Sequence, residues 1–178
     1  MSIEGPNTVG EAREMWKIIM KGFAFWAIAV GAVGVAFVVG MRAKSTVVRN
    51  AVRKLSRATR GPAMKSAGTP GAYASIVEHV GRASGRAYRT PVRAAATDDG
   101  FVITLPYGPD TDWVKNVLAR GTATIVNEGR VTDVMTPEIV DGSTARRFFL
   151  AKDQRTQRLF GVDEYLRVRR AEPAALTG

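Results

Sequence analysis

Two short runs of this chain carry residue types that can hold a flat, negatively charged ligand. The first is GRASGRAYRTP, Gly81–Pro91, where two glycines, Ser84 and three arginines (Arg82, Arg86 and Arg89) lie close together. Glycine lets backbone N–H groups turn toward an anion, and serine adds a hydroxyl. Guanidinium forks match the oxygens of a phosphate or carboxylate. The same residues also describe a solvated basic hairpin, and this segment alone does not choose between the two. The second run is LPYGPDTDWVKNVLA, Leu105–Ala119. Here Tyr107, Gly108 and Pro109 form a loop, and a helix begins near Asp112 with Thr111 or Asp110 as its cap. Helical spacing predicts a buried face of Val114, Val117 and Leu118, with Trp113 and Asn116 together on a neighbouring face. An aromatic and an amide beside a glycine turn suit a flat heterocycle; Trp113 as ordinary core is the alternative.

The rest of the composition removes most other chemistry. Cysteine is absent, which excludes disulfides, iron–sulfur clusters, thiolate zinc sites and cysteine nucleophiles. His79 is the single histidine, so no multi-histidine metal site exists and no metal is expected. His79 itself reads as a strand residue with no special role, and Glu78 beside it faces the other side. Ser84 has no general base near it in sequence and is not expected to act as a nucleophile. No catalytic side chain is predicted, and the chemistry is left to a bound cofactor.

The formal net charge is +10, and its distribution says where it acts. Residues 1–41 hold three acids and three bases, 42–77 hold eight bases and no acid, and 78–178 hold fifteen bases against thirteen acids. The excess therefore follows directly on an apolar run, where it would meet anionic headgroups. The near-neutral remainder argues against a nucleic-acid partner. That run, Gly22–Met41, is twenty residues without a charge, bounded by Lys21 and Arg42. As a helix it would measure ~30 Å, the thickness of a bilayer's hydrocarbon core. It is expected to be a single transmembrane helix, with Trp16 and Trp26 as interfacial anchors. The MRAKS that follows it is a poor match to a signal-peptide cleavage site. Seven Lys/Arg between Arg42 and Arg60 outnumber Lys17 and Lys21, which predicts a single-pass cell-membrane protein with a cytoplasmic C-terminal domain. Ala32, Ala36 and Gly40 share one helix face, which would admit a homodimer.

These shifts divide the chain into an N-terminal flank (1–21), the transmembrane helix (22–41), a basic amphipathic helix and linker (42–71), a folded domain (72–172) and a tail (173–178). In the basic segment, Val47, Val48, Ala51, Val52 and Leu55 fall opposite Arg49, Arg53, Arg57 and Arg60. GPAMKSAGTPG reads as a linker. From Ala72 onward AYASIVEHV, RTPVRAAAT and GFVITLPY read as strands separated by GRASGRAY and the hairpin signal DDG. ATIVN and RVTDVMTPEIV flank Glu128-Gly129 as another hairpin. STARRFFLAK predicts a short helix capped by Ser143, and DEYLRVRR fits a last strand or a helix. Five or six mostly antiparallel strands with two or three short helices predict an α+β domain built on a small β-barrel.

In their order, Gly81-Arg82, Ser84-Gly85, Pro91, Tyr107-Gly108 and Trp113 followed by Asn116 resemble the deazaflavin-dependent nitroreductase family. Its members are split β-barrel proteins related to the FMN-binding flavin reductases. The resemblance spans about residues 47–170 and leaves the apolar run outside it. It implies coenzyme F-420 as cofactor, in preference to FMN. Arg82, Ser84 and Gly85 would hold the phosphate, and Tyr107, Gly108, Trp113 and Asn116 would lie near the ring. It also implies hydride transfer from the reduced coenzyme to a quinone or nitro compound. With a membrane anchor, an apolar acceptor such as menaquinone follows. The family pattern often has a cation where this chain has Ala83, and an arginine at Tyr88; Arg86 and Arg89 are the cations left to substitute. The family also shapes its substrate pocket with tyrosines of a C-terminal helix, where this chain offers Tyr165 beside Phe148, Phe149 and Phe160. A different class of reading is a non-catalytic protein that carries deazaflavin, or binds another flavin or a tetrapyrrole. A third is a membrane scaffold that recruits lipids through the basic helix.

Overall fold

The computed structural model describes residues 34–36, 38–40, 42–43 and 64–172. The chain divides into two units, Met1–Gly40 and Met41–Gly178. Within the first, Gly34–Ala36 and Val38–Gly40 are helical. The rest of the expected membrane helix, and the basic amphipathic helix over 45–60, lie outside the described residues. Among the described residues, no helix is long and apolar enough to cross a membrane.

The second unit is built on Val-, Ile- and Thr-rich segments that suit a pleated sheet. Its strands are β1 (Ser75–Val80), β2 (Ala87–Val92), β3 (Ala94–Ala96), β4 (Gly100–Thr104), β5 (Thr122–Asn127), β6 (Arg130–Asp141) and β7 (Glu164–Arg170). Helices among the described residues accompany them: α1 (Asp112–Arg120), α2 (Gly142–Ala145) and α3 (Ala151–Leu159), with residues 64–66 also helical. The strands form one sheet in the order β2-β1-β5-β6-β7-β4-β3, and every pairing is antiparallel. β6 serves two neighbours because it is broken by a bulge between Met135 and Glu138, where Thr136 takes a φ of 49°. Its first half pairs with β5 and its second half mainly with β7.

The sheet order contains a severe constraint. β2 and β3 are opposite edges, yet only Arg93 separates Val92 from Ala94. The sheet must therefore curl until its edges meet at that residue, which makes it a half-barrel. The Arg93 carbonyl accepts from the Thr104 N–H at 3.0 Å, turning the chain from β2 toward β4. The Arg93 guanidinium donates to Asp153 Oδ2 at 2.6 Å and to the Tyr73 carbonyl at 3.0 Å, and lies 4.6 Å from the centre of the Tyr73 ring. Asp153, on α3, is buried. The corner is thus an ion pair that also ties α3 to the sheet.

Two apolar clusters fill the space on either side of the sheet. Val77, Ile103, Ile125, Val134 and Leu166 pack with Val114 and Val117 of α1. Val102 and Tyr165 pack with Ala145, Phe149 and Val162. Every residue of β4 is buried, because its alternate side chains serve both clusters.

Several local expectations need correcting. Leu118 is 39% exposed, and Asn116 takes its place in the buried face of α1, because the Asn116 amide finds hydrogen-bond partners inside. α2 is capped by Asp141, not Ser143: the carboxylate accepts from the N–H groups of Ser143 and Thr144 at 2.8 and 3.1 Å and from the Ser143 hydroxyl at 2.6 Å. The Ser143 hydroxyl and these amides hold the Asp141 pKa below the usual carboxylate value. The expected helix over STARRFFLAK is broken: α2 runs into a 3-10 turn, Arg146–Phe148, and Leu150 is extended as the N-cap of α3. Most of α3 lies beyond the segment for which the sequence predicts a helix. DEYLRVRR resolves as the strand β7. The linker GPAMKSAGTPG is docked in part, since Gly68 accepts from the Gly129 N–H at 2.6 Å and the Gly71 N–H donates to Glu128 at 2.7 Å.

The corner predicts a stability effect. Arg93→Ala leaves the Asp153 carboxylate buried without its cation and should cost about 3 kcal/mol in urea unfolding. A loss below about 0.5 kcal/mol would mean that the backbone alone holds the bend.

Candidate functional site

The two chemically suggestive runs meet on one cleft of about 580 Å³. The turn between β1 and β2 forms one wall with Gly81, Arg82 and Ser84, and β2 continues it with Tyr88, Arg89, Thr90 and Pro91. Tyr107 comes from the loop after β4, and Thr111, Asp112, Trp113 and Asn116 from the start of α1. His79 lies at the end of β1 and also lines the space.

The wall turn is shaped by its glycines. The Gly81 N–H donates to Arg86 O and the Gly85 N–H to Gly81 O, both at 2.8 Å, with Gly85 at a φ of 66°. A side chain on Gly81 would run into the Ser84 hydroxyl and come within 2.8 Å of the Tyr88 ring. Ser84 Oγ lies 3.2 Å from the Tyr88 hydroxyl and accepts from the Arg86 N–H at 3.4 Å. Tyr88 stacks on His79 with ring centres 5.7 Å apart.

A chain of hydrogen bonds joins this turn to α1 and β1. Asn116 Oδ1 accepts from the Arg82 backbone N–H at 3.1 Å and from Arg82 Nη1 at 2.9 Å. The Arg82 guanidinium also reaches Asp112, with Nη1 donating to its carbonyl at 3.3 Å and Nη2 to its carboxylate at 3.2 Å. With its oxygen committed to Arg82, the Asn116 amide presents its NH₂ to His79 Nδ1 at 3.2 Å. Nδ1 must then accept, which places the ring proton on Nε2, where it donates to Thr90 Oγ1 at 3.1 Å. One amide thus sets the register of Arg82 and the tautomer of His79 together.

The residues expected to bind a ligand divide into two groups. Arg82, Ser84, Arg89, Tyr107, Trp113 and Asn116 line the cleft. Gly85, Arg86 and Gly108 do not; they shape the turns that flank it, with Gly108 at a φ of 78° and its N–H donating to Leu105 O. Arg89 is paired with Glu78, directly opposite it on β1, at 3.0 Å. Its charge is partly neutralised before any anion arrives. Tyr165 is completely buried away from the cleft in the second apolar cluster, where it donates to Gln157 at 2.9 Å. Burial pushes its pKa up. The cleft's tyrosines are Tyr88 and Tyr107.

His79, Thr90 and Thr111 were missed by the sequence reading. Strand alternation places His79 on the same face as Val77, which is buried, and that signal was available. Thr111 is 8% exposed, caps no N–H of α1, and its hydroxyl is buried without a hydrogen-bond partner among the described residues.

No family model matches the chain. No curated protein matches it either. Among solved structures, it is similar to a protein of unknown function from Agrobacterium tumefaciens at 12% identity and a TM-score of 0.42. The match covers 57% of this chain and 49% of that one, so it spans about half of that protein's length.

The hydrogen-bond chain makes a testable statement about the only histidine. Long-range ¹H–¹⁵N spectra should show neutral His79 as the Nε2–H tautomer, and Asn116→Ala should remove that preference. A dominant Nδ1–H form in the unaltered protein would reverse the assigned amide orientation.

Proposed function

We propose that this protein is a membrane-anchored oxidoreductase that transfers hydride from reduced deazaflavin coenzyme F-420 to an apolar acceptor, a quinone or nitro compound. The observation that carries the reading is the meeting of both resemblance-bearing runs, Gly81–Pro91 and Leu105–Ala119, on one cleft. Its volume of about 580 Å³ lies within the ~300–1,000 Å³ usual for ligand sites.

The residues present suit such a cofactor. The glycine turn and Ser84 hydroxyl, with the cation of Arg82 beside them, form a phosphate-binding end. Trp113, Tyr107 and Tyr88 supply aromatic surface for a ring system. The buried Thr111 hydroxyl has no partner among the described residues, and a polar group so placed costs roughly 1–3 kcal/mol. The missing cation at Ala83, and the pairing of Arg82 with Asp112 and of Arg89 with Glu78, point to a weaker phosphate grip than the family pattern implies. When bound, the reduced coenzyme supplies the hydride. The chain's task is to position the ring against the acceptor and keep water away.

The same proposal places the domain at the cytoplasmic face of the cell membrane, with residues 22–41 as a single-pass anchor. An acceptor such as menaquinone is then at hand in the bilayer. Close approach of two anchors through Ala32, Ala36 and Gly40 would make a homodimer.

The test is titration of the full chain in detergent micelles with F-420 and, separately, with FMN, read by the anisotropy of each coenzyme's own fluorescence. Micromolar binding of F-420 with much weaker FMN is expected. Arg82→Ala and Ser84→Ala should each weaken F-420 binding by roughly 1–3 kcal/mol. Thr111→Val, which removes a buried hydroxyl with no partner among the described residues, should leave folding stability in urea unchanged or raised. Oxidation of the reduced coenzyme on adding a quinone or nitro acceptor completes the case. Binding without turnover on any acceptor would replace the enzyme by a carrier, and absence of binding would sink the deazaflavin reading.

A further inference from the structure

We infer that the run from Arg147 to Leu159 is a second membrane contact, docking on anionic lipid headgroups beside the point where the chain enters the folded unit. The inference rests on the anchor reading of residues 22–41.

This run exposes large apolar side chains and cations together. Phe148, Leu150 and Leu159 are 38%, 60% and 53% exposed. Arg147, Lys152, Arg155 and Arg158 are all exposed, and none of the four pairs with a carboxylate among the described residues. Elsewhere on the domain several exposed cations are matched, Arg82 with Asp112, Arg89 with Glu78, Lys115 with Asp110 and Arg167 with Asp99, and unmatched ones such as Arg86, Arg120 and Arg130 are scattered over separate turns and not gathered on one run. Between Gly142 and Val162 the only acid is Asp153, which is buried against Arg93. The surface is therefore basic with no compensating exposed acid along this run.

Helix geometry orients part of it. α3 buries Asp153 and Gln157, one turn apart, so its opposite side carries Lys152, Arg155 and Leu159. The Arg147 guanidinium lies 5.0 Å from the centre of the Phe148 ring. Arginine and lysine can lay their apolar stems in the interface and keep their charges at phosphate level, while the apolar residues enter the acyl boundary.

The position of the run selects lipid as its occupant. Arg42 is the first residue after the apolar stretch, and its Nη1 donates to the carbonyls of Arg158 at 2.8 Å and Leu159 at 3.5 Å. The chain that leaves the proposed anchor is thus tied to the C-terminal end of α3. Headgroups around an anchor at Met41 would lie within reach of Leu159 and its neighbouring cations. An anionic leaflet supplies the missing countercharge.

The absence of cysteine makes a clean test possible. A nitroxide is attached to Leu159→Cys in the full chain, reconstituted in nanodiscs of phosphatidylglycerol or of phosphatidylcholine alone. The control is Val131→Cys, which is 70% exposed and lies ~33 Å from Asp141 along β6. In phosphatidylglycerol the label at 159 should be accessible to oxygen and shielded from aqueous nickel chelate, while the label at 131 stays open to nickel. Combining Arg147→Glu, Arg155→Glu and Arg158→Glu should return the first label to water. Should that variant misfold by near-UV circular dichroism, 1 M salt on the unaltered charges should do the same, since the screening length falls to ~3 Å. Equal nickel access at 159 and 131 in phosphatidylglycerol overturns the inference, whether the run is solvated or taken by an acidic protein. Flotation separates it from the anchor. Chain that floats with phosphatidylcholine vesicles but leaves 159 in water keeps the anchor alone. Flotation only with phosphatidylglycerol, lost on charge reversal, keeps the patch alone, and flotation with neither overturns both.

Discussion

The fold depends on a single-residue corner. Because Arg93 alone joins the two edge strands, the sheet has no freedom to lie flat, and its curl creates the interior in which α1 packs. A bend of one residue would normally leave its backbone and side chain poorly satisfied. Here the Arg93 carbonyl is used by Thr104 and the guanidinium by Asp153, Tyr73 O and the Tyr73 ring. Its Nε has no partner among the described residues. A buried ion pair contributes little net stability over an apolar isostere, yet it is specific. What it specifies is the attachment of α3 to the place where the sheet turns.

The cleft follows from that curl. α1 sits against β1 and β5 through Val114 and Val117, which brings Asn116, on the same buried face, to the end of β1. A single amide then bridges three elements: the β1–β2 turn through Arg82, β1 through His79, and α1 through its own backbone. Buried polar networks of this kind favour one arrangement over near alternatives because a slipped register leaves donors unmet. The wall turn, which would otherwise be a mobile glycine loop, is therefore pinned at Arg82. Its other end is held less firmly, by Ser84 and Tyr88 at the surface.

Much of this was legible in the sequence, for reasons that can be named. Short runs of β-branched residues marked β1 and β4, DDG and Glu128-Gly129 marked hairpins, and the run of Gly, Ser and Arg marked the turn beside the cleft. What failed was information that lives in packing. Leu118 looked like core and Asn116 like surface until the helix was seen turned by its hydrogen bonds. α3 has one apolar residue, Leu159, outside its alanine, so no periodic signal announced it; its anchor is a charge, Asp153, whose partner lies far away in sequence. Arg89 appeared available to an anion because its pairing with Glu78 depends on strand register, which spacing alone does not reveal.

The corner has a further consequence for how copies of the domain meet. Open sheet edges are templates on which another chain can add a strand and begin to aggregate. Here β3 is only three residues long, and β2 carries Pro91, which has no N–H to offer a neighbour. The turn at Arg93 also brings these two edges toward each other. Such a sheet has little continuous edge left for another copy to extend. A domain held at high local density would gain most from this shape, since crowding increases encounters without giving them a place to nucleate a fibre.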